Sequence, residues 1–100
     1  YENKFRKIIK QFAEDVYDWY TSKHGKDNFH RKILEGFKNN KIPVSRLQQW
    51  FCNLAELPGK EHYTNEAWDE LCRDENNNNR IYEVRFQLWL ELANLYRNNN

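Results

Sequence analysis

Three histidines, two cysteines and one tight group of carboxylates are the residues with which this chain of 100 residues could do chemistry. Among His24, His30 and His62, no pair has the i, i+4 spacing that sets two imidazoles on one helical face around zinc. Cys52 and Cys72 form no C-x-x-C pair, and His62 is the only imidazole near them, so a zinc site is not expected. They read as free thiols in a reducing, intracellular compartment, while a disulfide between them stays open because sequence cannot test its geometry. No charge pattern beside either cysteine marks an activated thiolate. Glu14, Asp15 and Asp18 fall within one turn. Such a cluster can hold a metal, but here it reads as a solvated helix end. Gly25, Gly36 and Gly59 are isolated, so there is no glycine-rich loop to cradle a phosphate. No nucleophile, base and orienting group stand together. The chain is therefore expected to be non-catalytic, with no cofactor and no metal.

Binding is the remaining class, and two residue sets can carry it. Tyr82, Arg85, Phe86, Trp89 and Tyr96 crowd the last helical segment, and aromatics and arginine are the types that dominate interface energy when they anchor a contact. They point to a protein partner. The second set points to nucleic acid. Arg46, Gln48, Gln49 and Asn53 lie off the apolar stripe of a third helix, and their side-chain types pair with phosphates and base edges. Arg31, Lys32, Lys38 and Lys41 would add phosphate contacts. Against that reading, the link between the second and third helices is longer than a helix-turn-helix uses. The whole chain is also almost neutral, at +1.

These side chains need helices to position them. Phe5, Ile8, Ile9, Phe12, Ala13, Val16, Tyr17, Trp19 and Tyr20 recur at steps of three and four, which predicts a helix from Glu2 to Thr21, ended near Gly25. Its lysines come early and its acids late, an order that opposes the helix dipole. Asp27 or Asn28 can cap a second helix reaching Lys38, with Phe29, Ile33, Leu34 and Phe37 as its stripe. Gly36 inside it is unfavourable by about 1 kcal/mol relative to Ala. Ser45 stands three residues before Gln48, a capping-box spacing, and opens a third helix through Leu47, Trp50, Phe51, Leu54 and Leu57. Thr64 caps a fourth, from Asn65 to Arg73, with Tyr63 and Trp68 at the positions of a hydrophobic staple. The fifth, from Arg80 to Arg97, carries two adjoining apolar stripes, more than one buried face requires. Segments 22–28, 39–45, 58–64 and 74–79 are the loops, and no stretch alternates as a strand would.

The expected fold is all-α, a single small bundle of four to five helices over residues 1–97, followed by an Asn-rich tail at 98–100 read as a disordered continuation within a longer chain. Hydrophobic residues make up 39% and aromatics 16%, against a mean hydropathy of −1.12. The two agree only if apolar residues are gathered on stripes. No run nears the length of a membrane span. Residues 1–50 hold 11 Lys/Arg against 6 Asp/Glu, and residues 51–100 hold 5 against 9. That polarity, with a spare apolar face, also permits a homo-oligomer. Within residues 54–96, Trp68, Glu75, Tyr82, Leu88 and Tyr96 partly resemble the helical exported PHIST domains of malaria parasites. The resemblance covers under half of the chain and carries no functional residue across.

Overall fold

The computed structural model describes the backbone of residues 2–99 and the side chains of residues 3–99. The longest element is α1, Glu2–Asn28, which departs from helical geometry at Gly25 alone, where φ is 84° and ψ is 162°. A positive φ suits glycine, so the expected break is there, but the helix resumes at once instead of opening into a loop. It runs on into a π-helical stretch, Phe29–Leu34, and then into the short α2, Glu35–Lys38. Because Asn28 already sits in helical backbone, it has no open helix start to cap. Its side chain instead donates to the His24 carbonyl, 2.7 Å, and accepts from Arg31, 2.6 Å.

Asn40, at φ 57°, stops α2 in the left-handed conformation. The N–H groups of Asn40 and Lys41 turn back to the carbonyls of Phe37 and Gly36, the pairing of a Schellman motif. That turn lays Ile42 against Gly36, where a Cβ would come within 2.9 Å of the Ile42 side chain. Gly36 is thus kept for close packing rather than for the helix. Extended Pro43 then sets the start of α3, Val44–Asn53, so Ser45 falls inside the first turn and makes no cap. A 3-10 turn, Leu54–Glu56, follows. Thr64 does cap α4, Asn65–Leu71, accepting the Ala67 N–H at 3.1 Å. The last element is α5, Ile81–Asn98, and Asn99 closes it through a bond to the Leu95 carbonyl. The expected tail therefore begins inside the helix at Asn98, and Asn100 lies outside the described residues.

Phe5, Ile9, Phe12, Ala13, Val16 and Tyr17 bury one face of α1, and Val84, Leu88 and Leu92 bury the facing side of α5. The two helices run parallel. Arg80, just before α5, covers the Phe5 ring at 3.9 Å, and Lys26 near the end of α1 donates to the Asn99 carbonyl. Everything between them is the return path, and it packs against α1 through an aromatic cluster. Phe12 meets Phe51 edge-on at 5.1 Å, and Tyr63 and Trp68 close around both. The fold is all-α. Among the described residues no strand forms, and no helix is long and apolar enough to cross a membrane.

Asp15 departs from the expectation of a solvated acidic helix end. It is 8% exposed. It accepts from the Tyr63 hydroxyl, from Lys60 at 3.0 Å and from Gln11 at 3.2 Å. Burial, and then the hydrogen bond to this carboxylate, push the Tyr63 phenol well above its ordinary range. The Asn-rich loop is also ordered: Asp74 accepts from the backbone N–H groups of Asn76 and Asn78 at 2.9 and 2.8 Å, and Asn77 adopts φ 66°.

Two tyrosines give opposite expectations for one substitution. The buried Tyr17 hydroxyl has no hydrogen-bond partner among the described residues, so Tyr17→Phe should leave stability unchanged or raise it by about 1 kcal/mol. Tyr63→Phe removes a bond to a buried charge and should cost about 2 kcal/mol. Urea midpoints of the two variants check this. The Asp74 carboxyl is held below its ordinary 3.8, chiefly by the Asn78 N–H. A folded pKa below the unfolded one adds stability above about pH 4 and loses it as pH falls through the folded value. Asp74→Ala should therefore lower stability at neutral pH and flatten the acid limb of the stability curve, read by urea unfolding at several pH values.

Candidate functional site

Helical geometry places Tyr82, Phe86 and Trp89 on one face of α5, at i, i+4 and i+7. That face is turned away from the stripe of Val84, Leu88 and Leu92 that packs on α1. Tyr82 is 77% exposed and Phe86 55%, the most exposed large apolar side chains among the described residues. Trp89 is half-buried, with its ring 6.4 Å from that of Phe86, and it leans on the core at one edge. The three therefore share one face as an aromatic ridge, with Trp89 packed against the core.

Arg85 and Tyr96 sit on the flanks of that ridge and are engaged within the chain. The Arg85 guanidinium lies 5.0 Å from the Phe37 ring centroid and donates to the Ile42 carbonyl at 3.3 Å. Tyr96 stacks on His30 at 5.1 Å with the planes 11° apart, and on Phe29 at 6.1 Å. Both hold α5 to the stretch that runs from Phe29 through α2 to Ile42. Of the five residues expected to meet a partner, the fold brings three together and gives the other two structural contacts.

The residues of the nucleic-acid reading are all exposed. Arg31, Lys32, Lys41 and Arg46 gather around one shallow cleft of about 420 Å³ between the π-helical stretch and the start of α3. Glu35 lines the same cleft and dilutes its charge. Lys38 is exposed but does not line the cleft. Gln48, Gln49 and Asn53 lie exposed along the outer side of α3, whereas the neighbouring Cys52 thiol donates to Asn65 at 3.1 Å.

Chemistry remains thin. Cys52 and Cys72 are both free thiols. Burial pushes both up, Cys72 to about 12, so neither is a ready nucleophile at neutral pH. Among the described residues, no three His, Cys, Asp or Glu side chains gather as a metal would need. Among the described residues Asp15 is the one buried carboxylate, and no local pattern marks it, because its partners Lys60 and Tyr63 come from a distant loop. No family model, curated protein or solved structure matches the chain.

Ridge and flank should separate in stability measurements. Tyr82→Ser and Phe86→Ser should shift unfolding by less than about 0.5 kcal/mol, because both rings lie mostly in water. Tyr96→Ala should cost at least about 1 kcal/mol through its lost ring contacts. Thermal and urea unfolding of the three variants, side by side, would show it.

Proposed function

We propose that this domain is a non-catalytic protein-interaction module that binds its partner through the aromatic ridge of α5. The observation that carries the reading is the exposure of Tyr82 and Phe86 on one helix face, where every other large apolar side chain among the described residues, Ile8 apart, is buried or partly buried. Leaving such rings in water forgoes roughly 1.5–3 kcal/mol each, compared with burying them. The i, i+4, i+7 spacing is that of a helix seated in a partner's apolar groove. Trp89, held at one edge by the core, presents a pre-ordered anchor, which lowers the entropy lost on binding. Free thiols at Cys52 and Cys72 support an intracellular, reducing setting.

A second reading, binding of DNA or RNA through α3 and the neighbouring cleft, is favoured by the four cations around that cleft. It is weakened by Glu35 among them and by the net charge of +1.

The two readings separate by site-specific photo-crosslinking in cells. A photoreactive residue at position 82 or 86 should give a discrete protein adduct that Trp89→Ala diminishes, while one at Gln48 should give none. Adducts from position 48 alone would overturn the ridge reading. Adducts that vanish with nuclease treatment would favour nucleic acid, and binding to generic duplex should then fall steeply with salt. Light scattering of the purified chain distinguishes a second copy from a different partner.

A further inference from the structure

A cleft opens between the early turns of α1 and the middle of α4, and no residue of the α5 ridge lines it. Its volume is about 460 Å³, within the range of about 300–1,000 Å³ in which small-ligand sites fall. The floor is apolar. Phe5, Phe51 and Leu71 are buried beneath it, and Ile8 opens onto it with 37% of its surface exposed. Ile8 belongs to the apolar pattern of α1, yet no described residue covers it fully.

The rim is charged with one dominant sign. Lys4 and Lys7 stand on the same side of α1 as Ile8, at i, i+3 and i+4 spacing. Neither has an ion-pair partner among the described residues. Arg80 closes one end, its guanidinium fixed over the Phe5 ring at 3.9 Å and its Nε donating to the Leu71 carbonyl at 2.8 Å. Against these three cations the cleft has one carboxylate, Glu70, on the α4 wall.

We propose that this cleft binds a small amphipathic anion, with a hydrocarbon body on the Phe5–Ile8–Leu71 floor and one anionic head group between Lys4 and Lys7. Burial of the body completes the cover over Ile8, and the two exposed ammonium groups of Lys4 and Lys7 add a modest attraction to the head. A cationic amphiphile meets like charge there, and a neutral one leaves the ammonium groups unpaired. This site is separate from the α5 ridge, so it stands or falls apart from the protein-partner reading.

Titration of the whole chain with decanoate, kept below its aggregation concentration and followed by amide NMR, tests the proposal. Decanoate should saturate at one per chain, with the largest shifts at residues 4–11 and 67–71, and decanol should bind roughly tenfold more weakly. Lys4→Glu with Lys7→Glu should weaken decanoate roughly tenfold and leave decanol unchanged. Ala67→Phe, which narrows the cleft, should abolish both, with circular dichroism verifying that the variant folds. The lysine variant, confined to the surface, keeps the test decisive if Ala67→Phe does not fold. No saturable binding, equal affinity for decanol, or shifts confined to α5 would each overturn the proposal.

Discussion

A carboxylate placed inside a protein has to be answered, and in this chain the answer to Asp15 organises the return path. An isolated buried charge is costly, and its partners must be near and well aimed. Tyr63 and Lys60 supply them from the link between α3 and α4, and Gln11 from the turn before. The link is irregular and has little periodic pattern of its own to fix it. Once Tyr63 is drawn down onto Asp15, its ring closes against Phe51 and Phe12, and Trp68 follows behind the Thr64 cap. Thus one polar contact sets the register of an aromatic cluster that supplies much of the hydrophobic packing. The same placement makes Tyr63 and Phe51 part of the wall and floor of the apolar cleft.

What was legible from sequence is what repeats at the helical period. The stripe Phe5, Ile9, Phe12, Val16 is local, and so is Leu47, Trp50, Phe51, Leu54. Each stripe needs only its own helix to make sense, and each is buried. Thr64 was legible because a capping side chain reaches a backbone group three residues on. Ser45 carried the same signal and was overridden, since Pro43 had already set the extended residue before the helix. Asp15 was not legible, because its hydrogen-bond partner Tyr63 is 48 residues away.

The candidate site follows the same division. An excess of apolar residues on α5 could be read from the pattern, because the helix has more of them than one neighbour can cover. Which side chains were spare could not be read. Arg85 is taken up by Phe37 and by Ile42 in the turn after α2, and Tyr96 by Phe29 and His30. The cleft under Lys4 and Lys7 was invisible for a different reason. It is a gap between two elements, and neither element's own periodicity records a gap.

The parallel course of α1 and α5 has a mechanical consequence. Their first turns meet at Phe5 and Arg80, and their last turns at Lys26 and Asn99. Tension applied between the start of α1 and the end of α5 would slide the two helices past each other lengthwise. Every side-chain contact along the seam would then resist together, rather than opening one after another as in a hairpin pulled from its free ends. Forced unfolding is governed by the unfolding rate rather than by equilibrium stability. A seam loaded in shear makes that rate low for pulling in this direction, while leaving the return path between the helices free to rearrange.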